Sequence, residues 1–147
     1  MILSYTPRQL SANLIAGILN QAYIKSEVVK KEQGGDLVNF SMNNIDCSIS
    51  ILGNTLQIYH IIHAEPDADL NVVKRVVNHI NHSIIHTKYV GVRPDGSHLI
   101  AFHHSHWIPE DETITPGYIV KLARSFSSFQ EKHLAHWNTT VRQALLV

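Results

Sequence analysis

Apolar residues change their spacing along the chain, and each change marks an element. Near the start Leu10, Leu14, Ile18 and Ala22 recur at every fourth position, with Ile15 and Leu19 beside them and Gln9, Asn13 and Asn20 opposite. That period predicts one amphipathic helix, with Thr6 as its cap and Pro7 as its first residue. Between Ser26 and His63 the period shortens. SEVVKKEQ, DLVNFSM, IDCSISIL and TLQIYHIIH are β-prone segments separated by Gly34-Gly35, Asn43-Asn44 and Gly53-Asn54, dipeptides that accept the positive φ of tight hairpins. They predict an antiparallel meander of three or four strands. In IDCSISIL, Ile45, Cys47, Ile49 and Ile51 alternate with Asp46, Ser48 and Ser50, so Cys47 is expected in the core.

The helical period returns in EPDADLNVVKRVVNHINHSII, with Pro66 and Asp67 at its start and Leu70, Val73, Val77, Ile80 and Ile84 as its apolar stripe. TKYVGVRP and SHLIAFHHSHWI flank Asp95-Gly96 and predict a second hairpin. After the acidic PEDET, Thr115-Pro116 opens a last helix with Ile119, Leu122, Phe126, Phe129 and Trp137 roughly on one side. The expected class is α+β, an antiparallel sheet of five or six strands with three helices in the order α-β-β-β-(β)-α-β-β-α. A chain of 147 residues with 44% hydrophobic and 16% charged residues can fill one core, so residues 1–147 are expected to form a single domain.

Charge narrows the partners. Twelve basic residues balance twelve acidic ones and are dispersed, whereas nucleic-acid binding rests on clustered Lys and Arg meeting phosphate. MILSYTPRQL lacks the features of a secretory signal, no apolar run approaches the ~20 residues of a membrane span, and a lone cysteine, Cys47, suits a reducing compartment. A soluble cytoplasmic protein is the expectation. The N-x-S/T matches at Asn81 and Asn138 read as chance.

The segment from Asp36 to Leu134 carries a resemblance. The meander, Asn78 and Asn81 in NHIN, the lysine and β-prone residues of TKYV, the Asp95-Gly96 hairpin and the closing helix after ITPGYIVKL resemble the bacterial YbjN family, described as candidate sensory transduction regulators. More distantly they are similar to type III secretion chaperones. The resemblance covers about two-thirds of the chain and implies helices packed on an antiparallel sheet, frequent dimers and no established catalytic residues. Secretion chaperones of this shape bind extended segments of a partner.

Eleven histidines are the departure from that pattern. On a strand His104 and His106 share a side with Ile100 and Phe102 while His103 faces away, so at most two of the three reach one ion. A third ligand would have to come from elsewhere, such as His60 or His63. The reading that needs least is polar residues at a strand's end. His79, His82 and His86 are placed with Arg75 on the solvent face of the central helix, where His82 and His86 at i, i+4 lack the glutamate of a zincin pair. His133 falls between Phe129 and Trp137, the position of a hydrogen-bonded core histidine and the best candidate for pH-sensitive packing.

No nucleophile site emerges. Ser97-His98 and Ser105-His106 project to opposite faces of a strand, and GxSxG, GxGxxG and P-loop motifs are missing from the sequence. Asp67, Asp69 and Glu110-Asp111-Glu112 lie at helix approaches, where carboxylates meet the helix dipole. Trp107 and Trp137 are expected to close the ends of the layers. No catalytic, cofactor or metal residue is assigned. The leading expectation is a non-enzymatic, chaperone-like or regulatory module whose partner is a polypeptide, as a homodimer built on the central helix. A histidine-based metal or pH sensor is the alternative.

Overall fold

The computed structural model describes residues 3–32, 35–81 and 85–145. After a 3₁₀ turn at Pro7–Gln9 come α1 (Ala12–Gln21), β1 (Ser26–Val29), β2 (Leu37–Met42), β3 (Ile45–Leu52) and β4 (Thr55–Ala64). They are followed by α2 (Leu70–His79), β5 (His86–Val92), β6 (His98–Trp107) and α3 (Pro116–Leu145). The expected order holds, with the fourth meander strand formed.

The strands make one six-stranded sheet in the order β1-β2-β3-β4-β6-β5, antiparallel throughout. Turn chemistry sets the hairpins. Asn43 and Asn44 both take positive φ, 54° and 61°, as a two-residue turn with the twist of its flanking strands requires. The β5–β6 loop is longer than its Asp-Gly pair suggests. Pro94, Asp95 and Gly96 span it, closed by Arg93 N–H donating to Ser97 C=O at 2.9 Å. Gly34 of the first predicted turn lies outside the described residues.

Alternation divides the sheet into two faces. Val38, Phe40, Ile45, Cys47, Ile49, Leu56, Ile58, Ile100 and Phe102 point inward and are buried. The helices roof this face. α1 lies over β1 to β3, α2 beside β5, and α3 contacts both other helices and β3.

Helix boundaries depart from expectation where a better cap exists. Ser11 caps α1, its Oγ accepting from Leu14 N–H at 3.1 Å. Thr6 heads the 3₁₀ turn instead, donating its N–H to Gln9 Oε1 at 2.8 Å. Asp69 rather than Pro66 or Asp67 caps α2. That helix ends at His79, so His86 belongs to β5 and the expected helical His82, His86 pair does not form; His82 and Ile84 lie outside the described residues.

Tyr23, just past α1, holds a left-handed φ of 63° with its side chain 99% exposed. Only glycine adopts that conformation without a Cβ clash. Tyr23→Gly is therefore expected to raise stability by roughly 0.5–1 kcal/mol, seen as a higher melting temperature.

Candidate functional site

The inner face carries polar groups that the apolar pattern does not advertise. α3 turns Ile119, Ala123, Phe126, Gln130, His133 and Trp137 toward the sheet. The spacing of three and four puts Gln130 in the stripe, and only its polarity hid it. Gln130 Nε2 donates to His60 Nδ1 at 3.2 Å, a ring that stacks on Phe102 with centroids 6.2 Å apart. His133 donates from Nε2 to the carbonyl of Ile80, the last residue of the α2 terminus, at 2.9 Å. That satisfies an otherwise orphaned helix-end acceptor. His133 is thus the buried, hydrogen-bonded core histidine expected.

His60 makes a second acid-sensitive contact. Burial pushes its pKa below the ordinary imidazole value, with Asp46 pulling weakly the other way. A proton on Nδ1 would meet the Gln130 amide hydrogens head-on unless that amide turned over. His103 is lowered by burial and then by Lys88, His86 and His104, and its Nδ1 is buried with no hydrogen-bond partner. His106, tilted against Tyr118 at 5.2 Å, is lowered by burial and by His104.

These three rings hold protons less readily folded than unfolded. Stability is therefore complete above about pH 6.5 and is lost as pH falls from there through the depressed folded values. Melting temperature should fall steadily on acidification, and His60→Gln, which can still accept from Gln130, should lessen the fall. Thermal melts across pH check both.

The histidine run follows the expected alternation. His104 pairs with Ile58 and His106 with Leu56 on the inner face, while His103 pairs with Tyr59 and His86 on the outer one. The three lie toward the C-terminal end of β6 and are half-buried, with neighbouring strands beside them and Tyr118 of α3 against His106. Among the described residues no group of three or more His, Cys, Asp or Glu is arranged to hold a metal ion.

Cys47 is buried as expected, its Sγ 3.8 Å from Ser127 Oγ. Burial, opposed by the Ser127 hydrogen bond and aided by Asp46, pushes the thiol up to about 11. Native protein is expected to react with a thiol reagent at least ~100-fold more slowly than unfolded protein, because the thiolate is scarce and covered; absorbance at a chromogenic disulfide reads this. The serine–histidine neighbours stay apart. Ser97 Oγ donates to Asp95 Oδ1 at 2.6 Å, while His98 Nδ1 lies 2.9 Å from the Tyr89 hydroxyl.

Among the described residues no helix lies on the outer face. One row crosses all six strands through His86, His103, Tyr59, Ser48, Asn39 and Glu27, with Ser48 Oγ donating to Asn39 Oδ1 at 2.7 Å. At one end of the face Leu52, Thr55 and Trp107 form a parallel row, Leu52 being 68% and Trp107 66% exposed. The two tryptophans therefore part company: Trp137 closes the core at 7% exposure, while Trp107 stands in solvent. Strand parity could have shown this, because Trp107 is the odd neighbour of inward His106. Over β1 to β3 lies an open hollow of about 540 Å³ reaching Lys25, Glu27, Asn39 and Asp46.

Asn81, one half of the NHIN feature, has a defined structural duty. Its Oδ1 accepts from Thr87 N–H at 2.6 Å and its Nδ2 donates to Thr87 C=O at 3.1 Å. A single amide thus occupies both outward backbone groups of Thr87 on the edge strand β5, as a neighbouring strand would.

No family model matches this sequence, and no curated protein does. Among solved structures the fold is similar to that of YbjN from E. coli, described as a candidate transcription regulator, with a TM-score of 0.57 and 11% identity over 93% of each chain. At that identity the likeness concerns architecture, the YbjN-like α+β arrangement expected from the sequence. No helix among the described residues is long and apolar enough to cross a membrane.

Proposed function

We propose that this chain is a non-enzymatic regulatory module that acts by binding another polypeptide through the helix-free face of its sheet. The observation that carries the reading is Trp107, which with Leu52 presents a large apolar surface to solvent on a face of small polar side chains. Exposed tryptophans flanked by polar groups are the usual anchors of protein interfaces. The fold likeness to YbjN, itself described as a candidate transcription regulator, accords with a regulatory role, and the secretion-chaperone resemblance accords with capture of an extended segment. The balanced charge of 12 basic and 12 acidic residues argues for polypeptide over nucleic acid. A cytoplasmic location and a homodimer built on α2 complete the reading; sedimentation of a strict monomer at high concentration would remove the dimer.

The test compares native-cell capture on wild-type protein and Trp107→Ala, followed by titration of the purified captured protein. Direct binding weakened about tenfold or more by the substitution supports the reading. Equal affinity for both proteins, or no saturable binding, overturns it.

A second reading, a pH-responsive module, is favoured by the His60–Gln130 contact beneath α3. A cooperative structural change between about pH 7 and pH 5 would support it, and a gradual loss of stability would not.

A further inference from the structure

Charge is segregated on the helix-free face. On β1 to β3 the outward ionisable residues are Glu27 and Asp46. On β4, β6 and β5 they are Tyr59, His63, His103, His86 and Lys88, with no outward carboxylate. Arg93, just past β5, donates to His63 Nδ1 at 3.1 Å and extends the basic half along the sheet. Between these groups run Ala101, Ile61 and Leu99, in register with Lys88 and Gly91. Ala101 is buried while the longer Lys88, His86, His63 and Arg93 around it are exposed, so the difference in side-chain length makes this strip a shallow trough.

We infer that this basic half of the sheet binds an extended acidic polypeptide segment whose apolar side chains lie over Ala101 and Ile61 and whose carboxylates meet Lys88, Arg93 and the surrounding imidazoles. The inference rests on the proposed polypeptide-binding role and names the chemistry of the partner. The trough from His86 to Arg93 is about 20–25 Å long at the rise of a strand, which suits six or seven extended residues. Alternation in such a segment puts apolar and acidic side chains on opposite sides, one toward the trough floor and one toward its rim. Nucleic acid fits less well. Lys88 and Arg93 are the only permanent cations here, too few for a phosphate backbone, and the floor is aliphatic with no stacked aromatic rings.

Binding should take up protons. His103 is faced by His86 and Lys88 from β5, by Tyr59 from β4 and by His104 along its own strand; Asp46 on β3 and Asp95 beside Arg93 are acids on the flanks. An arriving carboxylate supplies the negative charge this group lacks and raises the imidazole pKa values, so affinity rises as pH falls through the bound-state values.

Fluorescence anisotropy with a labelled Glu/Val peptide of about eight residues, its Gln/Val counterpart and an oligothymidylate of similar length tests this. The Glu/Val peptide should bind, should tighten about fivefold from pH 7.5 to pH 6.0, and should lose about tenfold in affinity on Lys88→Glu but little on Lys25→Glu. Equal binding of the Gln/Val peptide, equal effects of the two substitutions, or preference for the oligonucleotide overturns the inference. So does a concentration-dependent dimer abolished by Lys88→Glu, which would assign the trough to a second copy. A partner captured through Trp107 that is indifferent to Lys88→Glu would sink the acidic-segment inference while leaving the polypeptide-binding role standing.

Discussion

Phe102→Ala lowers stability by about 3–5 kcal/mol, enough to drop the melting temperature by roughly 10 °C or more. Phe102 is 0% exposed and sits where three elements meet. His60 of β4 stacks on it, and His133 and Trp137 of α3 approach it edge-on with centroids at 5.4 and 5.8 Å. Truncation leaves a cavity bordered by the Trp137 indole and by two imidazoles, the imidazoles held in place by the Gln130 and Ile80 hydrogen bonds. The surroundings are therefore held back from collapsing into the void, which puts the cost toward the upper end of its range. Phe102→Leu keeps most of the volume and should cost about half as much. Denaturant melts of both proteins decide the matter, and near-equal losses would show that ring geometry rather than volume is what the site needs.

Asn81→Ala is the second large effect, with a loss of about 2–4 kcal/mol. Thr87 is buried, and the substitution strips partners from both its N–H and its C=O at once. Each abandoned buried backbone group costs about 1–3 kcal/mol. Asn81→Asp separates the two contributions, because a carboxylate still accepts from Thr87 N–H but repels its carbonyl oxygen. Equilibrium unfolding should rank wild type above either variant. If Asn81→Ala melts like wild type, water serves Thr87 as well as the amide does.

The elements were legible wherever local chemistry decides them. Alternation in IDCSISIL placed Cys47 in the core, Asn43-Asn44 produced the expected turn, and the parity of His103 against His104 and His106 held in the sheet. Misreadings fell where two local signals compete. Thr6-Pro7 looks like a helix start, but Ser11 is nearer the apolar stripe and its hydroxyl reaches Leu14 N–H. The helical period of VVNHINHSII continues past His79, yet the structure ends α2 there, with Ile80 as its cap and His133 from a distant helix holding the Ile80 carbonyl. No local pattern could announce that contact. The duty of Gln130 was concealed because a polar residue in an apolar stripe reads as an interruption. Trp107 was judged by its apolar nature when strand parity pointed it outward. The basic half of the outer face belongs to three strands whose order in the sheet differs from their order in the chain, so it existed only once β6 was seated between β4 and β5.

That seating also sets the tempo of folding. The longest ladder joins β4 to β6, from Thr55 opposite Trp107 to Ala64 opposite His98, and everything between those strands must loop out before it can close. The meander from β2 to β4 needs only tight turns and can zip early, which leaves the flank of β4 bare until β6 arrives. Nonlocal closure of this kind is slow relative to hairpin formation, and an unpaired strand rich in isoleucine invites another nascent chain. For this protein the hazardous interval in biosynthesis is the wait for β6 to emerge.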